Sequence, residues 1–172
     1  MVRKDHFVNV DISVRYIEEQ YGTTARRWQR PASGPGRTER GGRGGAAYTS
    51  CVPRGTNYEL ARRAVLRDLR RGVRSRSDVC DAHPELIRAA RNVGERAGIK
   101  CPVCEGRDLY YVSYVYGDGL KHANGRCLSY PGELEKLRAK HDEFDRYVVE
   151  VCTDCRWNHL GARELHGRRH AG

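Results

Sequence analysis

Apolar residues recur at helical spacing in two short stretches before the middle of the chain. In residues 58–71, apolar side chains fall on one helical face and arginines on the opposite face. The apolar positions are Tyr58, Ala61, Ala64, Val65 and Leu69, and the arginines are Arg63, Arg67 and Arg70. Glycine is common directly after a helix. The pattern therefore predicts an amphipathic helix that ends at Gly72.

Residues 83–93 repeat this arrangement, after a short segment that is predicted to open at Ser77 or Asp78. Their apolar face holds Leu86, Ile87 and Ala90, their outer face holds Arg88 and Arg91, and Gly94 follows. A linker is expected over residues 95–100. Two helices with basic outer faces are compatible with a DNA-reading helix-turn-helix, but helical hairpins that bind no DNA are commoner.

The second half of the chain alternates between strand-like and helical patterns. Residues 109–116, 146–151 and 157–160 are rich in aromatic and β-branched residues, which favour strands. Between them, residues 132–144 place Leu134, Leu137, His141 and Phe144 on one helical face. Strand alternation puts Tyr110, Val112, Tyr114 and Tyr116 on one side. That side is expected to pack against the 132–144 helix; an aromatic surface for bases or a protein partner is the alternative.

Two C-x2-C pairs are the clearest chemical signal in the sequence. The first pair is Cys101 and Cys104, and the second is Cys152 and Cys155. Two such turns facing each other supply the four sulfurs that tetrahedral zinc accepts, with no position left open for a catalytic water. Iron in a rubredoxin-like site and a redox dithiol are the alternatives. The spacing therefore predicts one structural zinc ion per chain.

Other candidate chemistry is sparse. His159 follows the second pair and is interpreted as a packed histidine rather than a ligand, and the C-x2-H step at Cys80 and His83 lacks a second pair. The loop with Asp118, Lys121 and His122 is polar, but no nucleophile elbow, phosphate-binding loop or zinc-protease helix accompanies it. We therefore expect a protein that is not an enzyme.

The net charge of +10 is concentrated in residues 1–99. A concentrated basic region favours a polyanionic partner, because binding releases counterions, and a basic surface that only keeps the chain soluble is the alternative. Residues 1–56 are rich in arginine and glycine and are predicted to be a flexible extension. No apolar run reaches the length of a membrane span, and cysteines at metal spacing suit a reducing cytoplasm.

Several stretches resemble an uncharacterised zinc-ribbon-like family of actinobacteria, known as a domain of unknown function. They read YELARRAVL at 58–66, VCDAHPELIRAAR at 79–91, CPVC at 101–104, YVYGD at 114–118 and YVVEVCTDCRWNHL at 147–160. The resemblance covers residues 57–167. It implies a cytoplasmic actinobacterial protein and a metal site, but no activity.

Together these patterns predict an α+β protein in three parts. A flexible extension (1–56) precedes a small basic helical module (57–98) and a zinc ribbon with four cysteine ligands and a helical insertion (99–172). The expected function is docking on nucleic acid, or on a nucleic-acid machine such as RNA polymerase or the ribosome. The expected phosphate contacts are Arg63, Arg67, Arg70, Arg88 and Arg91. A zinc-ribbon adaptor that binds only protein is the alternative.

Overall fold

The computed structural model describes residues 55–168. The predicted flexible extension lies outside these residues, except for its last two positions, which begin a strand. The elements follow in the order β1 (Gly55–Asn57), α1 (Glu59–Arg70), α2 (Arg76–Val79), α3 (Pro84–Val93), β2 (Glu95–Lys100), β3 (Asp108–Tyr116), a 3-10 helix (Asp118–Ala123), β4 (Arg126–Cys127), α4 (Glu133–Lys140), β5 (Phe144–Val151) and β6 (Asn158–His166). The fold therefore mixes helices with a sheet.

All six strands join one antiparallel sheet, in the order β1-β6-β5-β3-β2, with β4 paired to the far end of β3. β3 and β5 form its centre and pair along seven successive positions. The expected linker 95–100 is wrong: these residues are strand β2, which pairs with β3 around a bulge. β2 also crosses the predicted boundary between the helical module and the ribbon.

Local sequence explains where the helices begin and end. Gly72 has a φ of +72°, the left-handed conformation that glycine adopts after a helix, so α1 ends as predicted. α2 is capped by Ser75, whose side chain and that of Asp78 form a reciprocal capping box. The expected start at Ser77 or Asp78 is therefore two or three positions late. α3 begins with Pro84 in its first turn, after His83 as the cap.

α3 covers one face of the sheet and forms the largest core with it. Leu86 and Ala90 of α3 pack with Val112 and Tyr114 of β3, and all four are buried. The tyrosine-bearing face of β3 therefore packs against α3, and the expectation that the 132–144 helix covers it is wrong. Tyr114 is fully buried and offers no stacking surface.

The opposite face of the sheet is covered in two places. α4 and the 3-10 helix cover the end near Val115, where Leu137 and Leu120 pack with Phe144. The helix predicted over 132–144 ends at Lys140, and Phe144 belongs to β5. α1 covers the cysteine end through Leu66, which is buried, whereas Ala61 of the predicted stripe is exposed.

The predicted strands thus occur in the predicted order and belong to one sheet. The helical insertion and the two cysteine turns connect them. Assignment of the C-terminal part to the zinc-ribbon fold stays a prediction. Within residues 55–168, every helix is too short or too polar to cross a bilayer.

Candidate metal centre

Two similar turns carry the four cysteines at one end of the sheet. In the first turn, the N–H of Glu105 donates to the carbonyl of Cys101 at 3.0 Å, and in the second the N–H of Arg156 donates to that of Cys152 at 3.1 Å. Glu105 and Arg156 have positive φ values of 55° and 69°. The two turns therefore repeat one backbone conformation, which presents two sulfurs on the same side of each loop.

The four sulfurs converge on a single point. All four lie within 4.8 Å of one another, with Sγ–Sγ distances of 3.5 Å between Cys101 and Cys155 and 3.7 Å between Cys104 and Cys152. Zinc–sulfur bonds of about 2.3 Å in a tetrahedron place sulfurs about 3.8 Å apart. The cluster is therefore able to bind a metal ion, and its spacing and donor chemistry are consistent with zinc.

Backbone N–H groups point at these sulfurs and favour the thiolate form that binds metal. Cys101 accepts from Val103 and Cys104, Cys104 from Gly106, Cys152 from Asp154 and Cys155, and Cys155 from Trp157. Partial burial opposes ionisation of Cys104, but the N–H of Gly106 and the neighbouring thiols outweigh it and lower its pKa to about 7. Burial raises the pKa of each of the other three thiols. Metal binding must therefore displace protons from these thiols.

The residues after each turn bear on the choice between zinc and iron. Rubredoxin-type turns carry glycine directly after the second cysteine, whereas this chain has Glu105 and Arg156 there, which argues against iron. The positive φ values of Glu105 and Arg156 show that the backbone nevertheless adopts the conformation that glycine favours. The geometry of the turns therefore does not separate the two metals, and zinc remains a prediction.

The centre lies in a small apolar core that joins it to the first two helices. Leu66 of α1, Val79 of α2, Leu109 of β3 and Trp157 pack with Cys101 and Cys152. Trp157 and these two cysteines are fully buried, whereas Cys104 and Cys155 are partly exposed. The cysteine turns are thus held by packing from α1 and α2 as well as by the sheet.

Three polar residues that the sequence did not single out surround the centre. The guanidinium of Arg76 interacts with the sulfurs of Cys80 and Cys155, and this interaction raises the pKa of Arg76. Arg107 and Asp154 form an ion pair of 3.0 Å that links the first cysteine turn to the second. Partners around metal ligands fix the orientation of those ligands. No local pattern marks Arg107 and Asp154 as partners, because they come from segments far apart in sequence.

Glu150 links α1 to Trp157, which packs against the metal centre, by accepting a hydrogen bond from each side. Its Oε1 accepts from Nε of Arg62 at 2.6 Å and from Nε1 of Trp157 at 2.9 Å. The Trp157 ring stacks on His159 with centroids 5.9 Å apart. His159 therefore packs beside the centre and is not part of the cysteine cluster, as the sequence indicated.

His159 is expected to make folding sensitive to acid. Burial lowers its pKa to about 4, below its usual value of about 6.5. The unfolded chain takes up this proton first, so the stabilisation is complete above about pH 6.5 and is lost as the pH falls towards 4. His159→Phe should therefore lose less stability across this window than the wild type, as measured by urea unfolding at each pH. Metal loss in acid affects both proteins, so parallel pH profiles would contradict the assignment.

The predicted phosphate-contacting arginines divide between two sides of the sheet. Arg63, Arg67 and Arg70 lie on the exposed side of α1, and Arg88 and Arg91 lie on that of α3. Several have local partners: Glu59 pairs with Arg63, Asp68 with Arg67, and Glu85 with Arg88. Arg91 instead donates to the carbonyl of Thr153, in the second cysteine turn, at 3.3 Å. Because α1 and α3 pack on opposite faces, the structure does not bring all five together.

The remaining candidates do not form a second site among the described residues. His83 caps α3 by accepting from the N–H of Glu85 at 3.2 Å, while Cys80 packs beside the metal centre. Asp118 lines a cavity of about 720 Å³ at the other end of the sheet, but Lys121 and His122 do not line it. The described residues thus do not bring the three polar loop residues together in this cavity.

Comparison with known proteins identifies relatives over the same region. A family described as "Family of unknown function (DUF5318)" matches residues 53–171. The chain is 40% identical over 104 residues to uncharacterized protein Rv0049 of Mycobacterium tuberculosis and to uncharacterized protein Mb0050 of Mycobacterium bovis. Each alignment covers 60% of this chain and 75% of the relative. No solved structure matches the chain.

Proposed function

Since this chain belongs to the DUF5318 family, whose function is unknown, we propose a role from its own residues: it is a non-enzymatic zinc protein that docks on nucleic acid or on a nucleic-acid machine such as RNA polymerase or the ribosome. The observation that carries this proposal is a cluster of four cysteine sulfurs next to exposed arginines. Four thiolates complete a tetrahedral shell and leave no site for a metal-bound water. The metal would therefore stabilise the fold.

Exposed arginines supply the contact with the partner. The chain carries a net charge of +10, and basic surfaces bind phosphate backbones mainly by releasing counterions. Phosphate contacts position a protein on nucleic acid without reading its sequence. The proposed interaction is therefore electrostatic and independent of base sequence.

The test is a binding titration with labelled oligonucleotides across a salt series. We expect affinity to fall steeply as salt rises, and the double variant Arg67→Glu/Arg70→Glu to bind more weakly at low salt. Asp68→Asn, which removes a negative charge from the same helix, is the matched control and should bind at least as well as the wild type. Salt-insensitive binding, or no binding, would remove nucleic acid from the proposal.

Protein capture from nuclease-treated lysate distinguishes docking through nucleic acid from the alternative, an adaptor that binds only protein. A protein that docks on a nucleic-acid machine through nucleic acid should lose its partners when the lysate is treated with nuclease. Partners that remain after treatment, together with no direct oligonucleotide binding, would support a protein adaptor instead.

A further inference from the structure

We propose that a groove beside the metal centre binds the backbone of single-stranded nucleic acid. The inference rests on the proposed function and assigns it a place and a kind of ligand. The groove has a volume of about 440 Å³ and lies between β2, the start of β3 and the two cysteine turns. Its positively charged lining residues are Arg96, Lys100 and Arg107. Arg91 of α3 donates a hydrogen bond to the carbonyl of Thr153, the residue before Asp154 of the groove lining, and adds a fourth cation beside the groove.

Two of these cations, Lys100 and Arg107, are held in place by carboxylates and still have N–H donors that are free to bind a phosphate. Asp108 lies 3.1 Å from the ammonium of Lys100, and Asp154 lies 3.0 Å from Nε of Arg107. A guanidinium has five N–H donors and an ammonium has three, so each keeps donors for a phosphate. Both side chains remain mostly exposed, at 64% and 70%. The ion pairs therefore orient the cations towards the groove.

Arg96 is the cation most available to an anion. It is exposed, and no ion pair joins it to a carboxylate within residues 55–168. It lies five residues before Cys101, on the order of 15 Å along an extended strand. That distance exceeds the screening length of about 8 Å at physiological salt, so negative charge on the thiolates barely reaches Arg96.

The size and lining of the groove favour a single strand over a duplex. A volume of about 440 Å³ is that of a small-ligand pocket and too small to admit a double helix. Tyr110 lies opposite Arg96 in the sheet register, packs against the core beneath α3, and lines the groove with the rest of its half-buried ring. Proteins that bind single strands combine a basic groove with aromatic side chains on which bases stack. Basic residues and an aromatic ring thus occur here in that combination.

Lys140 provides a matched comparison. It is exposed, like Arg96, but it is the last residue of α4 and lines the cavity at the other end of the sheet. Arg96→Glu and Lys140→Glu change the net charge by the same amount. A difference between the two variants therefore reports the position of the nucleic acid and not the overall charge of the protein.

The experiment measures the fluorescence anisotropy of a labelled oligouridine, with a duplex DNA as a second probe, on the metal-loaded full chain. We expect Arg96→Glu to weaken oligouridine binding about tenfold, and Lys140→Glu to weaken it much less. Tyr110→Leu should also weaken binding. Metal content and thermal unfolding verify that each variant is folded. Ultraviolet crosslinking of the wild type, mapped by mass spectrometry, should mark the peptide containing Arg96 and Tyr110.

Each alternative outcome has a distinct meaning. Equal losses in the two charge variants, crosslinks on α1 only, or tighter binding of duplex than of oligouridine would overturn the groove while leaving nucleic-acid docking in place. Absence of binding to either probe by the wild type at low salt would overturn the proposed function together with the groove.

Discussion

Replacing Cys152 with serine is expected to abolish metal binding and to unfold the cysteine end of the sheet. Cys152 is fully buried, its sulfur lies 3.7 Å from that of Cys104, and the apolar core beneath α1 and α2 packs directly against it. Binding of structural zinc contributes about 10–16 kcal/mol in small zinc modules, which is as large as the whole free energy of unfolding of a typical domain, about 5–15 kcal/mol. Loss of one ligand should therefore remove most of the stability of the protein.

Metal content measured by mass spectrometry and thermal unfolding followed by circular dichroism test this expectation. The wild type should hold one metal ion per chain, and Cys152→Ser should hold none and melt well below it. Cys51→Ser is the matched control, because this cysteine lies outside residues 55–168 and outside the family match. A wild-type protein that is folded and free of metal after purification and chelation would contradict the prediction.

Trp157→Ala is expected to cost about 3–5 kcal/mol of the free energy of unfolding, as large-to-small substitutions at buried aromatic positions do. The side chain is fully buried against the two cysteine turns, and its Nε1 donates to Glu150 at 2.9 Å. Alanine leaves a cavity beside the metal ligands and removes one of the two donors to that carboxylate. The loss should appear as a lower midpoint of denaturant unfolding.

Trp157→Phe separates packing from hydrogen bonding. Phenylalanine keeps most of the apolar volume but cannot donate to Glu150, so we expect a smaller loss of about 1–3 kcal/mol. Equal destabilisation by the two variants would show that the hydrogen bond, and not the buried volume, holds this position.

The parts of the fold that local sequence controls were predicted well. Helices α1 and α3 lie within one or two residues of the predicted ranges, because an apolar face, a proline at the start and glycines at the ends are all local signals. The cysteine cluster was predicted for the same reason: each C-x2-C turn fixes the direction of its own two sulfurs. The approach of the two turns to each other, in contrast, depends on the folding of the whole sheet and could not be derived from either turn alone.

The errors concern contacts between distant segments. Alternation along β3 indicated which side chains share a face, but not that α3, rather than α4, covers Tyr114 and Val112. β2 was missed because its only apolar side chains are Ala97, which is half-buried, and Ile99, which is exposed, with Gly98 at the bulge. Its strand character comes from hydrogen bonds with β3, and an edge strand needs no buried face.

The order of the strands in the sheet also has a consequence for synthesis of the protein. The helices α1 to α3 and the first cysteine turn are made before β5 and β6, which complete both their packing surfaces and the second half of the cluster. At about 5–20 residues per second, the roughly fifty residues that separate the two turns take several seconds to translate. During that interval the thiols of Cys101 and Cys104 lack the second half of the cluster, and the apolar face of α3 can pack with β3 but not with β5 and β6. The nascent chain therefore passes through a stage at which chaperones, oxidants and competing metals can reach groups that the folded protein buries.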